Sequence, residues 1–212
     1  VVVIFLFSFT SKRNLNRKLT KCTVAFVGDN PPFVRQETVN KLLIENNREV
    51  SSIQKVNLDL NKLEKTLNAQ EMIEKSDVYV SIDGVLKAVV KQKTPIARIF
   101  DKGASFYIDY EGSRMPLSSN FTARVPLVSG GIDKINKEDL TELFRAIYDD
   151  AFLKKNIIGI EIISDGSLKM YNRNFDYQID FGKLNDIERK FKNYKAFFQK
   201  AVLDSSLYKY KK

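Results

Sequence analysis

The sequence predicts an α+β protein in two units: a β-α-α-β-β unit, then a mixed, mainly antiparallel β-domain with flanking helices. Three observations carry this expectation. Short apolar runs of period two are bounded by Gly, Pro, Asn and Asp clusters, apolar stripes at three- and four-residue spacing alternate with them, and Lys93-Thr94-Pro95 interrupts the pattern near the middle. With 212 residues, 43% hydrophobic and 29% charged, the composition is that of a chain whose body folds in water.

Val1-Val2-Val3-Ile4-Phe5-Leu6-Phe7-Ser8-Phe9 is an uninterrupted apolar run. Nine residues of helix cover about 14 Å, less than half of a bilayer core. Residues 1–10 are therefore expected to be the C-terminal stub of a transmembrane helix, because no small-residue cleavage pattern follows as it would in a signal peptide. Residues 11–19 form a basic juxtamembrane linker, and by the positive-inside rule alone such a flank belongs in the cytoplasm.

The first unit is expected over residues 20–93. Thr23-Val24-Ala25-Phe26-Val27 stops at Gly28-Asp29-Asn30-Pro31-Pro32 and reads as a strand that includes Cys22. Val39, Leu42, Leu43 and Asn46 mark an amphipathic helix over Arg35–Asn47. Asp59 can cap a second helix with Leu60, Leu63 and Leu67 on one face. Val78, Val80 and Ile82 then alternate with polar residues, Asp83-Gly84 turns the chain, and Leu86, Ala88 and Val90 continue the inward face of a partner strand.

The second unit is expected over residues 94–212. Strands are predicted at Ile96–Phe100, Phe106–Asp109, around Met115 and at Arg124–Val128, which ends in a Ser129-Gly130-Gly131 turn. Leu140, Leu143, Phe144, Ile147 and Ala151 predict one helix over Lys137–Phe152. Strands follow at Ile157–Ile163, Leu168–Tyr171 and Tyr177–Phe181. Leu184, Ile187, Phe191, Tyr194, Phe198 and Ala201 predict a long helix over Leu184–Leu203 lying on a sheet.

Composition excludes much chemistry. There is no histidine, which removes Ser-His-Asp and Cys-His nucleophile systems and imidazole metal sites, and a single cysteine allows no intrachain disulfide and no thiolate cluster. The net charge of +9 sits at the chain ends: residues 1–21 carry five bases and no acid, and residues 183–212 carry nine bases against three acids. A nucleic-acid-binding fold concentrates base on its folded binding face instead.

Val85-Leu86-Lys87-Ala88-Val89-Val90, Pro95-Ile96-Ala97, Ile108-Asp109-Tyr110-Glu111-Gly112, Met115-Pro116-Leu117 and Pro126-Leu127-Val128-Ser129-Gly130 resemble, in order and spacing, the extracytoplasmic region of the FtsQ/DivIB cell-division proteins. The resemblance covers about residues 20–203. It implies a POTRA domain over residues 20–93 and an FtsQ/DivIB-type β-domain over 94–212, in a single-pass inner-membrane protein with its body on the periplasmic side. It also implies a non-enzymatic divisome scaffold in septum formation, binding FtsB/FtsL-like membrane-anchored division proteins partly by strand addition, with no cofactor, no nucleic acid and no small-molecule substrate. Leu207-Tyr208-Lys209-Tyr210 reads as the alternating start of a C-terminal strand cut short at Lys212, so Tyr208 and Tyr210 are the expected partner-binding residues.

Other constellations carry rival functions. Asp109 and Glu111, flanking Tyr110 in an assumed strand with Asp101 nearby, are the candidate carboxylate pair of an exported wall-glycan hydrolase. The bases Arg189, Lys190, Lys192, Lys195 and Lys200 on the last helix are the candidates for a nucleic-acid-binding module. Ser52/Lys55 and Ser206/Lys209 match the S-x-x-K spacing at a frequency that chance supplies, Ser129-Gly130-Gly131 reads as a plain turn rather than an anion nest, and Asn120-Phe121-Thr122 has the form of a glycosylation acceptor.

Overall fold

The computed structural model describes residues 2–15, 18–28, 31–44 and 50–204. The chain forms two compact units, Val1–Lys93 with Ser118–Thr122 and Thr94–Leu117 with Ala123–Lys212. It is an α+β fold with mixed sheets and flanking helices.

The first unit begins with α1 (Val2–Leu15), so residues 11–15, expected as linker, are helical. Among the described residues no helix is long and apolar enough to cross a membrane. Then follow β1 (Lys21–Phe26), α2 (Gln36–Leu43), α3 (Leu60–Asn68), β2 (Ile73–Val80) and β3 (Val85–Gln92), in the expected β-α-α-β-β order. β3 is central, parallel to β1 and antiparallel to β2. Its inward residues Leu86, Ala88 and Val90 are fully buried against Val39 and Leu43 of α2 and Leu63 and Leu67 of α3, so both helices cover one face. Asp59 caps α3 by accepting from the Lys62 amide at 3.0 Å.

Two local expectations need correction here, and a third runs beyond the described residues. α2 ends at Leu43, and the expected continuation over residues 45–47 lies outside the described residues. Ile82 is not an inward strand residue: the Ser81 amide donates to the Val85 carbonyl at 2.9 Å, so the turn spans Ile82–Gly84 and leaves Ile82 83% exposed. A three-residue loop replaces the two-residue turn and lifts Ile82 out of the ladder. Ser118–Thr122 belongs to the first unit. The Ser118 hydroxyl and the Asn120 amide donate to the Phe33 and Pro32 carbonyls, each at 2.5 Å, and the Phe121 ring lies 5.3 Å from that of Phe33.

The second unit contains β4 (Pro95–Asp101), β5 (Ala104–Asp109), β6 (Arg114–Met115), β7 (Leu127–Gly130), α4 (Lys137–Asp149), α5 (Ala151–Asn156), β8 (Ile157–Ile162), β9 (Leu168–Asn172), β10 (Gln178–Gly182) and α6 (Ile187–Leu203). The strands form one sheet in the order β10-β9-β8-β7-β4-β5-β6. β7 is parallel to both neighbours, and every other pair is antiparallel. Ile99, Val128, Ile160, Ile162 and Met170 of the sheet share a core with Leu143, Phe144 and Ile147 of α4 and Phe191 and Tyr194 of α6.

Two further expectations change in this unit. β7 starts at Leu127 rather than Arg124, and Gly130 lies inside the strand, paired with Ile162, rather than in a turn. The single helix expected over Lys137–Phe152 is two, because Asp150 is extended and its carboxylate accepts from the Phe152 and Leu153 amides at 3.0 and 2.9 Å, capping α5. The same carboxylate binds the Lys195 ammonium of α6.

Burial alone raises the Asp150 pKa. The Lys195 hydrogen bond, the Leu153 and Phe152 amides and the Lys195 charge outweigh it and hold the carboxyl below its ordinary value. Asp150 therefore contributes stability above the unfolded value of about 3.9, and the contribution is lost as pH falls through the lower folded value. Asp150→Ala is expected to cost about 1–2 kcal/mol at pH 7 in urea denaturation, with the difference from the parent shrinking toward pH 2.

Candidate partner-binding edges

A strand edge can accept an extended partner only where its outward N–H and C=O groups are free. The β2 edge of the first sheet differs in this respect from the end strands of the second. On β2, the Ser76 amide donates to the Asn68 side-chain oxygen at 2.7 Å and the Val78 amide to a Glu64 carboxylate oxygen at 2.8 Å, so α3 seals that edge. In the second unit β10 and β6 are the end strands, and among the described residues no strand pairs with the outer side of either.

β10 is antiparallel to β9, with Gln178 opposite Tyr171, Ile179 opposite Met170 and Asp180 opposite Lys169, and the register shifts between Asp180 and Gly182. Phe181 points into the core, 5.1 Å from the Phe191 ring, which fixes β10 beneath α6. Farther along α6, Tyr194 meets Asn172 and Tyr177 in a buried network, and Phe198 packs edge-on to Phe152 at 4.9 Å. The edge next to α6 is thus backed by a packed aromatic layer. Tyr208 and Tyr210, the expected partner-binding residues, lie outside the described residues.

The structure uses the rival constellations internally. Asp109 is 3% exposed at the end of β5, where its carboxylate accepts from the Ser113 amide at 2.6 Å while its carbonyl accepts from the Gly112 amide. Glu111 is exposed in the turn that follows, so the premise that both acids project from one strand face fails. Asp109 is a turn-closing residue. Asp109→Ala is expected to cost about 1–3 kcal/mol in thermal unfolding and Glu111→Gln to fall within about 0.5 kcal/mol of the parent.

Of the bases on α6, Lys195 is paired with Asp150, Arg189 with Asp186, and Lys190 donates to the Lys183 carbonyl and the Asn185 side chain at 2.6 and 2.8 Å. These contacts hold three of the five cations against their own unit, unlike a phosphate-tracking face. Asn120, in the glycosylation-type triplet, spends its amide on Pro32. Cys22 is half-buried beside Asn40, and burial pushes its thiol pKa up, away from reactivity. Among the described residues no cluster of acids and cysteine could hold a metal ion.

Residues 94–212, more than half of the chain and every strand of the seven-stranded sheet, match the family described as FtsQ/DivIB, C-terminal related. The chain belongs to that family. FtsQ/DivIB proteins act in cell division. No curated protein matches the chain. In this FtsQ/DivIB-related chain the features that sequence reading missed are the sealed β2 edge and the end strands of the second sheet, which have no outer partner strand among the described residues. Their signal is non-local: Asn68 and Glu64 sit on a helix with nothing in the local pattern to aim them at a strand edge.

Proposed function

We propose that the chain is a non-enzymatic, membrane-anchored scaffold of the bacterial division machinery, which binds other single-pass division proteins of the FtsB/FtsL kind through extracytoplasmic domains. In this reading the apolar α1 is the end of an inner-membrane anchor, residues 20–93 form a POTRA domain, residues 94–212 form the partner-binding β-domain, and the body lies on the periplasmic side. The observation that carries the reading is the membership of residues 94–212 in the FtsQ/DivIB-related family. A second unit whose sheet ends in strands that have no partner strand on their outer side among the described residues adds support, since such an edge supplies the backbone groups that strand addition requires.

Residues 205–212 follow α6, whose Phe191 packs against Phe181 of β10. An extended segment containing Tyr208 and Tyr210 can lengthen the sheet at β10 and present a new edge to the partner. A pull-down from native membranes with the full chain as bait is expected to recover single-pass division proteins, and to lose them when Tyr208 and Tyr210 are both replaced by proline, which removes ladder donors. Recovery of no division protein by the parent chain would sink the proposal.

A further inference from the structure

At the β6 end of the second unit a cavity of about 300 Å³ opens between the sheet and α4. Phe106 and Ile108 of β5 and Leu140 and Phe144 of α4 form its floor, with Ile132 and Ile135 as a wall. Its volume equals about ten waters' share of liquid, enough for one large aromatic or aliphatic side chain. Two cations stand at the rim. The Arg114 guanidinium lies 3.9 Å from the Phe106 ring centroid, and Lys137 is the first residue of α4.

Both cations are exposed, and neither forms an ion pair with a described residue. Among the described residues no carboxylate lines the cavity: Asp133, Glu138 and Asp139 of the adjoining loop and first turn are exposed. The Thr141 hydroxyl is committed to the Lys137 carbonyl at 2.8 Å. The socket is therefore apolar inside and cationic at its mouth.

Arg114 also belongs to β6, the last strand in the sheet order, and pairs with Ile108 on the cavity face. The outward backbone groups of Arg114 in this two-residue strand, an apolar socket and two cations with no ion pair among the described residues thus meet at one place. A free anionic amphiphile would use the socket and the charges and leave the edge unused, whereas an extended polypeptide uses all three. Resting on the scaffold reading, we infer that the β6 end is a second docking site, separate from the Tyr208/Tyr210 edge. It takes an extended partner segment with one large apolar side chain, which fills the cavity, and an acidic residue within two positions of it, which meets Arg114 and Lys137.

The test is to pan a random peptide library on the purified full chain and measure the selected peptides by fluorescence anisotropy. Selected sequences are expected to pair an aromatic or large aliphatic residue with a nearby Asp or Glu. The double variant Arg114→Ala with Lys137→Ala, both surface positions, is expected to weaken binding by about ten-fold or more. Ile135→Phe, which narrows the cavity, is expected to weaken it comparably, and Tyr208→Ala with Tyr210→Ala to leave it unchanged. Selected peptides without an acid, an affinity unmoved by removing both cations, or decanoate binding as tightly as the best peptide would each overturn the inference. A chain that selects such peptides but captures no division protein loses the scaffold reading and keeps the site.

Discussion

Gly130→Ala is expected to unfold the second unit while leaving the first unit folded. A Cβ at Gly130 would lie 2.1 Å from the Ile162 carbonyl oxygen and 2.9 Å from its carbonyl carbon, both main-chain atoms of the neighbouring strand β8. That strand cannot retreat without breaking the bond from the Gly131 amide to the same oxygen at 3.0 Å, and the φ of 99° at Gly130 adds strain to any side chain. The expected cost is at least about 3 kcal/mol. Gly131→Ala is the control: its Cβ would meet the flexible Lys134 side chain at 3.0 Å, and its cost should stay under about 1 kcal/mol. Hydrogen exchange resolved by segment should show protection lost across β4 to β10 and retained in β1 to β3. Equal stability of the two variants would contradict the close approach of β7 to β8.

The second large effect is expected at Asn172, Tyr177 and Tyr194. The Asn172 amide donates to both phenolic oxygens, at 3.1 Å to Tyr177 and 2.9 Å to Tyr194, the two hydroxyls are 3.0 Å apart, and the Asn172 carbonyl oxygen accepts from the Asn174 amide at 2.8 Å. All three side chains are buried. Asn172→Ala removes three of these bonds at once and is expected to cost about 2–4 kcal/mol in urea denaturation. The network also sets an alkaline limit. Burial pushes the Tyr177 phenol far above its ordinary value, with the Tyr194 bond adding to the rise, and burial raises Tyr194 against the opposing bonds from Tyr177 and Asn172. The folded state therefore keeps these phenols protonated. Their contribution is fully present below about pH 10, the unfolded value, and is lost as pH rises above it toward the folded values. Melting temperatures taken from pH 8 to 11.5 should fall at the alkaline end, and Tyr177→Phe should remove part of that fall; an unchanged alkaline slope would contradict the assignment.

Much of the fold was legible because it is written locally. Leu86, Ala88 and Val90 alternate as an inward strand face, Asp59 stands where a helix needs a cap, and Phe191, Tyr194 and Ala201 keep helical spacing and are buried. The misreadings share a different origin. Ala151 continues the apolar spacing of α4, so periodicity ran through Asp150, whose carboxylate instead competed with the helix for two amides. Gly130-Gly131 has the composition of a turn, and only the packing of β7 against β8 shows that the first glycine is needed for a close main-chain approach. Ser118–Thr122 falls by position in the second unit, yet Phe121 and Asn120 find partners at Phe33 and Pro32, some ninety residues earlier in the chain.

The candidate site was legible in kind but not in place. Missing histidine and scattered carboxylates pointed away from catalysis, and Asp109 closes its own turn rather than sharing a strand face with Glu111. Which edges lie open depends on strand order and on side chains such as Glu64 and Asn68 reaching across to β2, and neither is visible in a one-dimensional pattern.

The central claim is that a division protein binds this chain by adding to a sheet edge at its C-terminal end. Its most direct test is site-specific photocrosslinking in dividing cells, with the reactive residue placed in turn at Tyr208, at Tyr210 and, as a control on the sealed edge, at Asp77 of β2. The account predicts crosslinks from the two tyrosine positions to a single-pass membrane division protein and none from Asp77. Division proteins captured at Asp77 but not at Tyr208 or Tyr210 would contradict it.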